Sequence, residues 1–410
     1  MKSNKSRFLL LWLGEFISAI GGGLTSFGLG VYIFQQTGSA SGMALVTLLG
    51  FLPTLLLSVP AGVLADRYDR RLLMMMGDGC SALGLVYILI CMLHGGASLA
   101  QICVGVFISA VFSSLLEPAY RATITDLLTP EEFSKASGLV SLAGSARYLF
   151  SPIIAGLLLS VSDVKLLLII DICTFFLTVT AAAIARRGIE AKKAETGEPF
   201  FRSMREGWQV LCGNRGVLIL VAVSSAVTLF MGMFQILAEP MILAFSDAGT
   251  LGAAETICAC GMLVSGLYLG IRGIKKHYAQ VLSLALALSG VCMVGFGMLE
   301  SIVPICAFGF LFFAMLPFAN NCLDYLVRTN IPDAVQGRAW GMIGFLSQIG
   351  YVVAYALSGV AADAVGRLSG RGVGRGAALV IQAAGICLAL AAIGIFMIKS
   401  IRKLEEHRAD

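Results

Sequence analysis

The sequence predicts an all-α membrane protein of twelve transmembrane helices, arranged as two six-helix bundles with pseudo-two-fold symmetry. Three observations carry that expectation. Of the 410 residues, 58% are hydrophobic and only 13% charged, with a mean hydropathy of +0.89, far outside the range of soluble domains. The apolar residues gather into twelve runs, each close to the roughly 20 residues that cross a hydrocarbon core. Landmark residues of the first half also recur in the second at a nearly constant offset.

The runs are expected at 8–34, 42–65, 72–94, 98–119, 136–160 and 164–186, then at 216–245, 250–271, 278–299, 302–327, 339–363 and 376–398. The first has a basic flank, but it is too long for the apolar core of a signal peptide and lacks a small-residue cleavage site, so it reads as a retained span. The even count puts both termini on one side. Lysine and arginine say which. Placing the tails, the even-to-odd loops and the central segment together collects 24 of the 29 basic residues, which makes that side cytoplasmic. Lys165, Arg367, Arg371 and Arg375 fall opposite, the last three in an expected basic outer loop from Gly366 to Gly376.

Residues 188–215 are the one sizeable polar stretch. They read as a cytoplasmic linker between a bundle at 1–187 and a bundle with a short tail at 216–410, with Phe200 to Val210 as an interfacial amphipathic helix anchored by Trp208. The halves repeat in parallel. Pro130 and Pro332 are 202 apart, Gly138 and Gly341 203, Gly156 and Gly359 203, and Gly62 and Gly266 204.

Between spans two and three the chain reads Gly62-Val-Leu-Ala-Asp66-Arg67-Tyr-Asp69-Arg70-Arg71, a short charged loop interrupting two apolar runs. Gly62 lies one helical turn before Asp66, so a neighbouring helix is expected to approach closely there and offer its N-terminus to the carboxylate. Arg70 and Arg71 would stay at the headgroup level, and a plain positive-inside anchor is the simpler alternative. The order of these residues resembles the loop signature of the major facilitator superfamily, with Asp69 where a glycine is usual. Trp12-x-Gly14, Thr37-Gly38-Ser39, Phe51-Leu52-Pro53, Glu117-Pro118-Ala119, Met204-x-Glu206-Gly207 and Gly337-Arg338 are similar to the macrolide-efflux branch of that superfamily. The resemblance implies the major facilitator fold, a bacterial inner (plasma) membrane location, and drug export in exchange for protons.

Charges inside spans cost about 2.5–3.5 kcal/mol each at a helix centre and mark candidate sites. Glu15 lies in span one before the Gly21-Gly22-Gly23 triplet, which is expected to let the helix bend; branch members often carry a neutral amide there. Arg147 lies deep in span five and is expected to face a carboxylate, Asp171 or Glu15. Asp78 and Glu117 are shallower and are expected to face Arg70, Arg71 or Arg121. Glu15, Asp78, Arg147 and Asp171 are thus the proton-coupling candidates, and Gly62, Asp66, Arg67, Arg70, Arg71 and Glu117 the gate. For each charged residue a permanently paired structural role is the alternative.

In the second half Gln235, Asn320, Asn321, Asp324 and Gln348 are candidates for a substrate cavity, while Glu239 and Asp363, near outer ends, are expected to be solvated. The Met and Phe residues of spans seven and ten, Met231, Met233 and Phe234 among them, are mainly packing, with a subset available for an adaptable pocket.

Eleven cysteines without paired spacing and three scattered histidines suggest no disulfide framework, metal site or catalytic cluster. No phosphate-binding Gly-x-x-x-x-Gly-Lys-Ser/Thr loop is present, so no nucleotide cofactor is expected and the proton gradient is the energy source. The reading is a monomeric secondary exporter of an amphipathic small molecule, working in a bilayer with protons as co-substrate and no nucleic-acid partner, and not an enzyme. Siderophore or metabolite export, or nutrient symport, by the same fold is the alternative, with a non-transporting sensor or scaffold further behind.

Overall fold

A computed structural model describes residues 4–129, 132–186, 208, 215–331 and 336–397. Among these residues the secondary structure is helical with no strand. Fourteen helices are described: α1 Lys5–Thr37, α2 Ala40–Arg67, α3 Arg70–Leu93, α4 Leu99–Ser113, α5 Leu116–Leu127, α6 Phe133–Leu149, α7 Ser151–Val161, α8 Val164–Arg186, α9 Arg215–Leu243, α10 Ala248–Arg272, α11 Tyr278–Phe296, α12 Ile302–Thr329, α13 Gln336–Ser369 and α14 Gly372–Met397. With α4–α5 and α6–α7 each counted as one broken rod, twelve are long and apolar enough to cross a bilayer. Large apolar side chains such as Ile271 (84% exposed) and Leu368 (89% exposed) stand on the outside, tolerable in lipid and not in water.

Two boundaries differ from the sequence reading. Span four does not end near 119: after a break at Ser114 and Leu115 it continues as α5 to Leu127, so most of the expected 120–135 loop is helix. Span eleven runs on to Ser369, and the expected Gly366–Gly376 loop shrinks to a tight turn with Gly370 and Gly372 at positive φ. The Arg375 guanidinium there donates to the carbonyls of Gly297 (3.1 Å) and Met298 (3.3 Å), satisfying the open end of α11. The Gly21-Gly22-Gly23 triplet does not interrupt α1, which is one continuous helix. Instead a Cβ on Gly21 would lie 2.7 Å from the Asp171 carboxylate, and one on Gly23 would collide with Ser151, so these glycines let α8 and α7 come close.

The chain divides into two compact units, one of residues 1–38, 45–196 and 248–253, the other of 39–44, 197–247 and 254–410. The division passes through α2 and α10, whose first residues belong to a different unit from the rest of the helix. In the first unit α1 packs along α8 and against α6 and α7, while α3 packs against α4, α5 and α8. In the second, α9 packs on α13 and α14, and α11 on α12 and α14.

The repeat seen in the sequence has a structural counterpart inside each unit. In the first, a Cβ on Gly156 would stand 2.7 Å from the Ala248 carbonyl oxygen at the start of α10. In the second, a Cβ on Gly359 would stand 2.6 Å from the Ala40 carbonyl oxygen at the start of α2. Each glycine lets a helix backbone seat against the opening turn of another. The expected amphipathic helix at 200–210 lies outside the described residues except for Trp208, which is exposed.

Candidate functional site

Three carboxylates lie on neighbouring helices of the first unit. Asp171 on α8 is 1% exposed and Asp78 on α3 is 2% exposed; Glu15 on α1 is partly buried. Small residues make room for them. Gly21 opens α1 opposite Asp171 and Thr174, and Gly14 meets Thr178 and Ala181 at 3.5 Å. The three acids feel one another's charge in sequence, Glu15 with Asp78 and Asp78 with Asp171. Hydroxyls accompany them: the Thr174 hydroxyl lies 3.4 Å from Asp171 Oδ1, and buried Thr25 and Thr178 stand alongside. None of the three is in an ion pair among the described residues.

Arg147 does not meet its expected partner. Its guanidinium donates to the Ser26 hydroxyl at 2.6 Å from an exposed position, and Asp171 senses it only as a nearby charge. Arg147 sits where α6 meets α1, ahead of the break at which Pro152 opens α7, and beyond the break the Ser151 hydroxyl donates to the Ile20 carbonyl at 2.9 Å.

At the charged loop the structure brings Arg70 and Arg71 to Asp126, a residue the sequence reading passed over as part of a loop. Arg70 Nη1 lies 2.8 Å from Asp126 Oδ1 and 2.9 Å from the Ala122 carbonyl, and Arg71 Nη2 lies 3.6 Å from Asp126 Oδ2. Arg71 is buried, 2% exposed. Asp69 caps α3 by accepting from the Arg71 backbone N–H at 3.0 Å and pairs with Arg186 at 2.7 Å, which gives that position a role a glycine could not fill. Glu117 faces neither Arg70 nor Arg71. It pairs with Arg121 at 2.9 Å, both side chains about two-thirds exposed, a contact of small energetic weight. Asp78 is likewise turned away from the arginines, into the acid row. Gly62 has nothing within 4 Å of a built Cβ, so the expected close helix approach is not present there. Arg67 is exposed. The side chains of Asp66 and Arg338 lie outside the described set.

In the second unit Gln235 accepts from the Tyr355 hydroxyl at 3.3 Å, and Gln348 is partly buried with its Oε1 unpartnered among the described residues. Asn320, Asn321 and Asp324 are exposed and are not brought to Gln235 by any described contact. Two expectations of solvated acids fail. Glu239 is partly buried, and Asp363 is 5% exposed. Asp363 accepts from the Ser39 hydroxyl at 2.6 Å and from the backbone N–H groups of Ala40 (3.0 Å) and Ser41 (3.1 Å), capping α2. Glu255, which the sequence reading omitted, lies near enough to Glu239 for their charges to interact. No group of metal ligands occurs among the described residues.

A family model described as Major Facilitator Superfamily matches residues 11–355. The chain belongs to the major facilitator superfamily. It is therefore a multi-pass membrane transporter. Macrolide efflux protein A of Streptococcus pyogenes is 27% identical over 88% of this chain and 91% of its own length. Multidrug efflux pump Tap of Mycolicibacterium fortuitum is 24% identical over 89% of this chain and 91% of that protein. Among solved structures, a bacterial homologue of the human lysosomal transporter Spinster superposes with a TM-score of 0.76 at 13% identity, covering 98% of both chains. A bacterial homologue of the iron transporter ferroportin gives 0.73 at 13% identity, over 97% of this chain and 100% of the other. These two superpositions speak to the fold of this superfamily member.

Proposed function

We propose that this major facilitator protein is a proton-driven exporter of amphipathic small molecules, of the kind its macrolide and multidrug efflux relatives are named for. The observation that carries the reading is the row Glu15, Asp78 and Asp171: three acids inside one helical unit, Asp78 close enough to interact with each of the other two, and none with an ion-pair partner among the described residues. An unneutralised carboxylate among apolar helices is costly, and a proton removes that cost. A row of such groups therefore ties the stability of one conformation to whether protons are bound, which is what coupling to a proton gradient requires. The dense Thr and Gly surroundings let the row repack without gaining or losing a large side chain.

The charge distribution supports cytoplasmic termini, and the duplicated sequence supports two six-helix halves joined by the 188–215 linker, working by alternating access. The Arg70–Asp126–Arg71 cluster serves as a structural clasp at the end of the first unit, and Asp66 is the residue left to respond to the state of the gate.

The test uses inside-out vesicles energised by a proton gradient. Adding a substrate of a working exporter releases stored protons. Asp171→Asn, Asp78→Asn and Glu15→Gln, each at wild-type abundance, are expected to reduce that release at least tenfold in one or more cases. Undiminished release in all three removes the proton role of the row. A growth-inhibition panel of macrolides, other lipophilic drugs and siderophores in a pump-deficient host fixes the substrate class.

A further inference from the structure

The second unit contains an acid that the proton row does not use. α9 and α13 are locked in a fixed register: Ser225 donates to the Leu346 carbonyl, Thr228 to the Ser347 carbonyl, Tyr351 to the Met231 sulfur at 3.2 Å and Tyr355 to the Gln235 amide oxygen at 3.3 Å. The partners are 121, 119, 120 and 120 residues apart, so successive turns of one helix meet successive turns of the other. Gly232 sits inside this seam, where a Cβ would press on Ala354 and Tyr351. One more turn of the same register brings Glu239 level with Ser358.

Among the described residues neither group has a hydrogen-bonding or oppositely charged partner. Ser358 is 1% exposed and its hydroxyl has no partner among the described residues. Glu239 has no basic side chain paired with it there, and a second carboxyl group, Glu255, lies close enough to interact with it. Along the two turns below, the seam is aromatic and soft: the Tyr351 and Tyr355 rings lie 5.7 Å apart at 35°, flanked by the Met231 thioether and the Gln235 amide. Behind them Phe234 is held against Phe312 and Phe296 at 4.2 and 4.6 Å, which fixes the orientation of α9.

The geometry points to a site for a monovalent organic cation on this seam, with Glu239 and the Ser358 hydroxyl receiving the charged head and Tyr351, Tyr355 and Met231 receiving its apolar body. Residues 231 to 239 span about 12 Å of helix, the length of a compact amphiphile. Tyrosine faces attract cations, and a thioether adapts to varied shapes. A carboxylate kept in an apolar span without a protein counter-charge is repaid when a cationic ligand supplies one. The inference rests on the transporter reading for its purpose, but equilibrium binding tests it without any gradient.

Purified full-length protein is titrated with tetraphenylphosphonium, a permanent cation, and with triphenylphosphine oxide, a neutral compound of similar bulk. Glu239→Gln is expected to weaken tetraphenylphosphonium binding at least tenfold and to change triphenylphosphine oxide binding less than twofold, while Glu239→Asp retains most of the cation affinity. Tyr355→Leu, which leaves the charge, is expected to weaken both probes. If wild-type protein does not bind tetraphenylphosphonium, or if Glu239→Gln weakens both probes equally or neither, the site is overturned; equal weakening would mean that Glu239 carries a proton or holds the fold. Charge-selective binding without proton-driven export would leave this site standing and remove the exporter reading.

Discussion

Asp363 and Ser39 are 324 residues apart, yet the Asp363 carboxylate receives the Ser39 hydroxyl at 2.6 Å and, with the next two backbone N–H groups, closes the opening turn of α2. A helix N-terminus leaves N–H groups without intrahelical partners, and a carboxylate is well suited to them. Here the acid comes from another helix, so a capping interaction also fastens two distant parts of the chain. The site 203 residues earlier holds Ser160, which is exposed and donates to the Leu157 carbonyl of its own helix. The internal repeat is therefore broken at this clasp.

Removing the clasp has a defined cost. Asp363→Ala strips three donors of their acceptor at a buried site, and a loss of about 2–3 kcal/mol is expected. Asp363→Asn keeps one carbonyl oxygen and should lose about half as much. Thermal unfolding in detergent, with Ser160→Ala as the neutral comparison, reads the order directly. Equal melting temperatures for all three variants and wild type would show that the clasp carries no stability.

The arginine cluster makes a contrast of the same kind. Asp126→Ala leaves the guanidinium of Arg71, 2% exposed, without its counter-charge, and a penalty of about 3–5 kcal/mol follows for a buried charge deprived of its partner. Glu117→Ala breaks only an exposed helical pair and should fall within about 0.5 kcal/mol of wild type. A double-mutant cycle between Arg70 and Asp126 is expected to give a coupling of about 1–3 kcal/mol, whereas one between Arg147 and Asp171 should give little, since Arg147 is bonded to Ser26. A coupling for Arg147 and Asp171 larger than for Arg70 and Asp126 would reverse that assignment.

What could be read from the sequence follows from what hydropathy measures. It reports depth along a span, so the twelve helices and the placement of Asp171 within a span were legible, whereas Asp78 read as shallower and turned towards the arginines. It does not report which neighbour a helix face meets. Arg147 and Asp171 have compatible depth, but the guanidinium meets the Ser26 hydroxyl of α1 instead of the carboxylate. Asp126 was missed because α5, 12 residues with polar side chains along it, is shorter than a span and reads as loop. Asp363 and Glu239 sit near span ends, where solvent is the ordinary expectation; only long-range packing, through Gly359 on the start of α2 and through the α9–α13 register, takes them out of it. The paired glycines Gly156 and Gly359 were legible as a repeat, and their shared role became visible only once both met a helix start.

Glycines also separate packing from motion. Gly156→Ala and Gly359→Ala each place a methyl within 2.7 and 2.6 Å of a backbone carbonyl oxygen, where no side-chain rotation relieves it. Both are expected to destabilise the protein by about 1–3 kcal/mol, the range for overpacking at a close seam. Gly62→Ala meets nothing within 4 Å, so its stability should match wild type or rise slightly as helix propensity improves. The sequence nonetheless places Gly62 one turn from Asp66, where a close helix approach is expected in a gate. If that approach belongs to another state of the transport cycle, Gly62→Ala will slow transport while leaving the melting temperature unchanged, and Gly62→Leu will slow it further. Measuring transport rate and melting temperature on the same preparations distinguishes the outcomes: full transport by Gly62→Leu would show that no helix comes close to this position at any stage, and would leave the charged loop as an anchor alone.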